Sequence, residues 1–241
     1  MRNTVFDSNA SQSRSASSHR KHLMGGLTAL AAVLALGYQA LPERATAAET
    51  AAPDAVAEAV AEAKSGVYAI DPNHSKITWA VSHLGFSTYY GQIPNIRGEL
   101  KLDVDKVENS TLDVTIPVRD VGTLHEALDG HLRNADFLDV EAFPEAHFRA
   151  TKITRVGPRE ARIDGDLTLR GKTQPVSLAT TFNKAGANPL NQAYTLGFSA
   201  KGSFKRSDFG INYGLPVVGD EVALLIETEL LVPKTEKSAG E

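Results

Sequence analysis

The histidines of this sequence are the first candidates for metal binding or catalysis. The segment 125-HEALDGH-131 begins like the zinc-protease pattern, in which two histidines at i and i+4 turn both imidazoles toward one metal. Asp129 occupies the second position here, and His131 lies about 240° round a helix from His125. This spacing predicts a surface helix with solvated histidines and no metal site.

Nucleophile and phosphate motifs are incomplete in this chain. A nucleophile elbow needs G-x-S-x-G between a strand and a helix, and in 85-GFST-88 and 197-GFSAKG-202 the second glycine is misplaced. The stretch 210-GINYGLPVVGD-220 has no Lys-Ser/Thr pair and no helical pattern after it, so it predicts a loop. No catalytic residue and no cofactor is predicted from these motifs.

A third histidine stands in 76-KITWAVSHLGF-86. Trp79, Val81 and His83 share one parity, so a strand would turn this histidine to the same side as its largest apolar groups. Such a histidine is either a hydrogen-bonded interior or rim residue, or a group that holds the polar end of an amphiphile at an apolar pocket. A catalytic role beside a nearby acid also stays open.

Composition narrows the class of protein. The 241 residues include 42% hydrophobic and 22% charged residues, which are globular values, and the net charge of -4 gives no basic excess for nucleic acid. We therefore expect no nucleic-acid partner. The chain has no cysteine, which excludes disulfides and thiolate metal sites.

The N-terminus predicts export. The basic run 19-HRKH-22 is followed by the apolar stretch 23-LMGGLTALAAVLALG-37 and by the small-x-small site 45-ATA-47, the pattern of a secretory signal peptide over residues 1–47. The apolar stretch is shorter than the roughly 20 residues of a spanning helix. We expect cleavage near Ala47, no stable membrane span afterwards, and a periplasmic protein.

The remaining chain predicts one domain at 67–233, between an Ala/Glu-rich linker at 48–66 and a polar tail at 234–241. Period-2 alternation predicts about nine short strands, whose number and spacing favour an antiparallel sandwich or barrel. These runs lie at 67–71, 76–86, 96–104, 112–118, 147–156, 161–169, 176–182, 196–204 and 222–232.

Two features interrupt the regular strand pattern. Within 123–144, leucines recur every four residues, so we expect a short helix with Thr123 as N-cap that plugs a barrel mouth or covers a sheet edge. On the inward parity of the strands, small residues either leave room for a ligand or mark bends, and the sequence leaves both interpretations open. These small residues are Gly98, Gly165, Ala200 and Gly202.

Four ordered motifs resemble the YceI-like family of bacterial periplasmic polyisoprenoid-binding proteins, over about Val67 to Pro233. They are 71-DPNHSKITWAVSHLGF-86, 130-GHLRNADFLDVEAFPEAHF-148, 165-GDLTLRGKTQPV-176 and 206-RSDFGI-211. The chain departs from the family at Leu128, where many members carry an arginine. It departs again at Ile93 and Pro94, where an aromatic residue is common.

The resemblance implies an all-β fold: an antiparallel, lipocalin-like β-barrel of about eight strands with one short inserted helix. It further implies a long-chain isoprenoid lipid, a polyprenyl lipid or an isoprenoid quinone, held in the lumen for transport or storage, without catalysis, cofactor or metal. The residues expected to line the lumen and its mouth are Trp79, Val81, His83, Leu100, Ile116, Phe137, Leu167, Phe198, Ala200, Phe204 and Ile226.

Two other functions stay open at this point. One is a hydrolase or isomerase that uses His83, and the other is a stress-response or adhesion barrel that is fully packed and has no ligand. Whether the barrel forms a homodimer is also left open.

Overall fold

The structure is a computed structural model, and it describes residues 62–233. The predicted signal peptide, the linker up to residue 61 and the polar tail lie outside the described residues. Within 62–233, no helix has both the length and the apolar character that crossing a membrane requires.

Ten β-strands and one α-helix make up the described part of the chain. The strands are β1 (Gly66–Ile70), β2 (Lys76–His83), β3 (Ser87–Ile93), β4 (Arg97–Leu102), β5 (Thr111–Ile116), β6 (Ala146–Arg155), β7 (Glu160–Leu169), β8 (Lys172–Ala187), β9 (Tyr194–Lys205) and β10 (Val218–Leu231). The helix α1 is Glu126–Arg133, and 3-10 turns lie at Val107–Asn109, Val118–Asp120 and Arg206–Phe209.

Eight of these strands close into an antiparallel barrel in the order β1-β4-β5-β6-β7-β8-β9-β10. The ring closes where Ile70 of β1 pairs with Leu230 of β10. Closure leaves no unpaired sheet edge in that ring, which is how an all-β domain avoids edge-to-edge association. The predicted lipocalin-like barrel of about eight strands with one helix is confirmed.

The strands β2 and β3 extend the wall at one end of the barrel. β2 pairs with the first part of β10, and β3 pairs with β2. The outer edge of β3 is bridged from Gln92 to Gly122. The end that carries these strands and α1 is called the helix end, and the opposite end, with the β6–β7 and β8–β9 turns, is called the far end.

Strand β3 is absent from the sequence prediction, and its packing explains why. Gly91 occupies an inward position of β3 opposite Trp79. A Cβ built at Gly91 would lie 2.2 Å from Cζ2 of Trp79, so the indole ring covers this glycine. The Trp79 side chain of β2 fills the space that an apolar side chain at residue 91 would fill, so the alternating pattern that predicts a strand is missing from β3.

The predicted helix exists, but its start differs from the expectation. His125, not Thr123, is the N-cap, and its Nδ1 accepts a hydrogen bond from the Leu128 amide at 3.2 Å. Leu124 precedes the helix with a φ of 64° and is fully exposed. Thr123 is held by Asp129, whose Oδ1 accepts from the Thr123 amide at 2.7 Å, and this contact draws Thr123 away from the cap position.

The inward glycines mark close contacts between strands. A Cβ at Gly165 would lie 2.4 Å from Cζ of Phe148, and one at Gly202 would lie 2.7 Å from Cδ2 of Leu178. Neighbouring side chains therefore fill the space above these two glycines. Any open volume in the barrel arises at other positions.

Candidate functional site

The barrel interior contains two large adjoining cavities. The cavity at the helix end has a volume of about 160 Å³, and the central cavity has a volume of about 190 Å³. Each exceeds by about tenfold the roughly 15 Å³ that one water molecule needs, so neither is a packing defect. The two cavities adjoin and are called the two lobes of the lumen. The residues that line both are Ile77, Ile116, Leu167 and Leu224.

The lumen wall is almost wholly apolar. Arg206 is the single charged side chain among the described residues that line either lobe. In the central lobe the polar side chains are those of Ser110, Thr180 and Thr228. A wall of this kind suits a hydrocarbon chain, which needs no directional contacts along its length.

Most of the predicted lumen residues do line these lobes. In the helix-end lobe they are Trp79, Val81, Ile116, Phe137, Leu167 and Phe204. In the central lobe they are Leu100, Ile116, Leu167, Phe198, Ala200 and Ile226. Strand parity brings them together, because alternate side chains of every barrel strand face the interior. That these residues contact a ligand stays a prediction.

His83 is the exception, and its predicted place at the lumen is corrected. It ends β2 opposite Val218, it is exposed, and it lines neither lobe. Its ring centroid lies 6.2 Å from that of Tyr89 on the paired strand. The parity shared with Trp79 holds along β2, but β2 and β3 continue past the barrel rim, where no opposite wall encloses a side chain.

A buried hydroxyl faces the central lobe without a partner. Oγ1 of Thr180 is inaccessible to solvent and has no hydrogen-bond partner within residues 62–233. Such a group is costly unless something polar reaches it. Thr180 shares its parity with Leu178 and Phe182, which indicates an inward side chain. The predicted set of lumen residues did not include it.

Arg206 organises the loop that closes the helix end. Its guanidinium donates hydrogen bonds to four backbone carbonyls between residues 211 and 219, at 2.7 to 3.0 Å. Burial lowers the pKa of Arg206, and the nearby Asp220 acts in the opposite direction. Sequence analysis recorded 206-RSDFGI-211 only as a family motif and missed that its arginine lies in the lumen wall.

The helix α1 and the segment after it cover the helix end. Nη2 of Arg133 donates to the Val121 carbonyl at 2.7 Å, which fastens the last turn of α1 to the barrel. Phe137 lines the lobe from this cover, and its ring lies 4.9 Å from that of His131 and 5.3 Å from that of Tyr213. The predicted helix therefore acts as a lid over one end.

A third, smaller cavity continues from the central lobe toward the far end. Its volume is about 100 Å³, and Thr180 and Phe198 line both cavities. Arg155 and Arg159 lie at its wall, and both guanidiniums are held by backbone carbonyls. The interior thus runs through most of the length of the barrel.

One trio of possible metal ligands occurs among the described residues, at the turn between β1 and β2. The donor atoms of Asp71, His74 and Glu229 lie within 4.8 Å of one another. Nδ1 of His74 is 2.7 Å from Oδ2 of Asp71, and Asp71 also accepts from the Asn73 amide. The Asp71 amide donates to the Glu229 carbonyl of β10 at 2.8 Å, which holds the turn against that strand, outside the lumen.

The pair at this turn has shifted pKa values. The Asp71 hydrogen bond raises the pKa of His74. Burial acts to raise the pKa of Asp71, but hydrogen bonds from His74 and Asn73 outweigh it, so the pKa lies below its ordinary value.

The sequence matches the YceI-like domain over residues 68–230. The chain belongs to the YceI-like family. A UPF0312 protein of Ectopseudomonas mendocina is 36% identical over 169 residues, which cover 69% of this chain and 88% of that relative.

Solved structures agree with the YceI-like fold. BcnA of Burkholderia cenocepacia is similar with a TM-score of 0.60 at 22% identity, over 66% of this chain and 98% of that one. A polyisoprenoid binding domain from Saccharophagus degradans is similar with a TM-score of 0.54 at 13% identity, over 69% of this chain and 98% of that one. At these identities the likeness concerns the fold alone.

Proposed function

We propose that this YceI-like protein is a non-catalytic periplasmic binding protein that holds a polyisoprenoid in its lumen for transport or storage. The two-lobed apolar lumen carries the proposal. Its wall is apolar and suits a hydrocarbon chain, and it contains very few polar side chains that could take part in a reaction. The resemblance of residues 1–47 to a signal peptide supports the periplasmic location.

The energetics suit a polyprenyl lipid or an isoprenoid quinone. Burial of each CH₂-sized group contributes about 0.8 kcal/mol. A few isoprenoid units of roughly five carbons each therefore offset the loss of translational and rotational freedom on binding. Ile93, at a position where the family resemblance implies an aromatic residue, lines the helix-end lobe.

Features of the lumen weigh against the two other functions. Neither lobe has a histidine or a carboxylate among its described lining residues, and His83 is exposed outside them, so an acid–base pair is not provided. A fully packed barrel does not fit lobes of about 160 and 190 Å³. The polyisoprenoid binding domain of Saccharophagus degradans has the same fold, which supports the ligand class.

The chain carries its own reporter for a test of this function. Trp79 is the single tryptophan of the sequence and lines the helix-end lobe. Titration of the exported protein with a polyprenol in mild detergent should change Trp79 fluorescence with saturation at one ligand per barrel. Organic extraction of the freshly purified protein, followed by mass spectrometry, should yield a molecule of isoprenoid mass.

The control is His83→Ala, which should bind the polyprenol as the wild type does because His83 lies outside the lumen. A wild-type protein that yields no lipid and shows no fluorescence change with polyprenol or quinone would contradict the function. N-terminal sequencing of the exported protein tests the location, and a mature chain that still begins at Met1 would contradict cleavage near Ala47.

A further inference from the structure

An exposed apolar tip lies at the helix end, next to the lumen. Phe86 on the β2–β3 turn is 90% exposed, Leu84 on the same turn is 46% exposed, and Val217 before β10 is 60% exposed. The Leu84 amide donates to the Val217 carbonyl at 3.0 Å, so the two connections are neighbours. These three residues are called the apolar tip.

The turn holds these side chains outward at a conformational cost. Leu84 and Gly85 have φ values of 56° and 73°, and the Phe86 amide donates to the His83 carbonyl at 3.1 Å. This hydrogen bond closes a β-turn with Leu84 and Gly85 at its two central positions, and left-handed positions of this kind favour Asn, Asp or Gly. A leucine in the left-handed region is unfavourable, which points to a use for its side chain.

The two chain segments that carry the apolar tip have an unusual composition. Residues 82–96 and 209–219 contain no Lys, Arg, Asp or Glu, whereas two or three would be expected in each at the 22% of the whole chain. Each segment has an exposed tyrosine instead. Tyr90 on β3 is 56% exposed, and Tyr213 on the loop before Val217 is 51% exposed. Exposed hydrocarbon with tyrosines behind it is typical of a surface that enters a bilayer interface.

The distances fit such an insertion. Tyr90 follows Phe86 by four residues, or about 13 Å along a strand, while interfacial elements bury apolar groups about 5–10 Å deep. With Phe86 among the upper acyl chains, Tyr90 would lie at the level of the head groups.

The tip also adjoins the lumen. Val218 and Val81 line the helix-end lobe; Val217 immediately precedes Val218, and Leu84 follows Val81 by three residues. We propose that the apolar tip docks the protein on a lipid bilayer and that the lumen exchanges its ligand with the bilayer at this end. This proposal rests on the proposed function, since a polyisoprenoid dissolves in membranes and not in water.

The test uses the double variant Leu84→Asn, Phe86→Ser and phosphatidylcholine vesicles that contain a small fraction of polyprenol. Asn suits the left-handed position, so the hairpin is kept while its hydrocarbon is removed. The matched control is Leu190→Ser, which removes a side chain that is 93% exposed on the β8–β9 turn at the far end.

The wild type and the control should float with the vesicles and take up polyprenol from them. The double variant should bind vesicles about tenfold more weakly or worse, the factor that corresponds to 1.4 kcal/mol, yet take up polyprenol from detergent as the wild type does. Because the tip is uncharged, wild-type binding should stay the same from about 0.05 to about 0.5 M salt.

Three results would overturn the docking proposal: no vesicle binding by the wild type, unchanged binding by the double variant, or loss of binding in Leu190→Ser instead. Binding that salt abolishes would also overturn it, because a charged face would then be responsible. A wild type that floats with vesicles but takes up no polyprenol from vesicles or detergent would leave docking intact and refute the proposed function.

Discussion

The substitution Ala200→Phe should block the lumen without unfolding the barrel. Ala200 lies on β9 between Thr180 and Ile226, and all three line the central lobe. A phenyl ring at this position projects into a space of about 190 Å³ and not into a packed neighbour. It therefore occupies volume that the proposed ligand needs.

The size of the effect follows from the carbon atoms displaced. A phenyl ring takes the room of about one isoprenoid unit, whose roughly five carbons contribute about 4 kcal/mol at 0.8 kcal/mol each. The dissociation constant should rise by roughly a thousandfold. The same ring fills a cavity, so the melting temperature should stay the same or rise, by about 2–4 °C for each kcal/mol gained.

Two measurements on each variant check this prediction. Circular dichroism gives the melting temperature, and Trp79 fluorescence with extracted-lipid mass spectrometry gives binding. Ala179→Phe is the matched control, because Ala179 is exposed on the outer face of β8 beside Thr180. It should bind polyprenol as the wild type does, and the smaller Ala200→Leu should show an intermediate loss.

A folded Ala200→Phe protein with wild-type affinity would refute the lumen as the binding site. If the phenylalanine variant unfolds, Ala200→Leu still decides the question, since its affinity must fall below that of the wild type.

Three further predictions concern Arg206 and Gly91 at the lumen and His74 in the turn between β1 and β2. Arg206→Met removes the donor to four carbonyls and should cost about 3 kcal/mol of stability, or about 6–12 °C in melting temperature. Gly91→Val should displace the Trp79 ring, shift its emission and weaken polyprenol binding, as fluorescence will show. His74→Asn should lower the denaturation midpoint most near about pH 5, where His74 is protonated and Asp71 ionised.

The signs of the pH effect follow from the two pKa shifts. The raised pKa of His74 stabilises the fold below its ordinary value of 6.5, and that stability is lost as pH rises through the raised pKa. The lowered pKa of Asp71 stabilises the fold above its ordinary value of 3.8, and that stability is lost as pH falls through the lowered pKa. A His74→Asn difference that does not depend on pH would contradict this account.

Controls for the other two substitutions come from nearby exposed positions. Lys205→Met changes an exposed charge beside Arg206 and should leave the melting temperature within a few degrees of the wild type. Gly130→Ala adds a methyl group with no atom within 4 Å and should leave Trp79 emission unchanged. An Arg206→Met protein as stable as the wild type would show that the four carbonyls find other partners.

The local pattern of the sequence determined which faces of the strands point inward. Trp79, Val81 and Ala200 could be assigned to the interior because side chains alternate with a period of two along any strand. The number of such runs indicated an antiparallel sandwich or barrel, and the resemblance of four ordered motifs to the YceI-like family implied the barrel. These features depend on residues close together in the chain.

The tertiary structure alone decided where the interior ends and what fills it. His83 has the parity of Trp79 yet is exposed, because β2 extends past the barrel rim. Gly165 has an inward position yet adds no volume, because the Phe148 ring from the next strand lies over it. Arg206 lies in the lumen wall because four carbonyls of the loop at residues 211–219 converge on it. Periodicity is a local property, whereas the volume of a lumen depends on walls that meet only when the barrel closes.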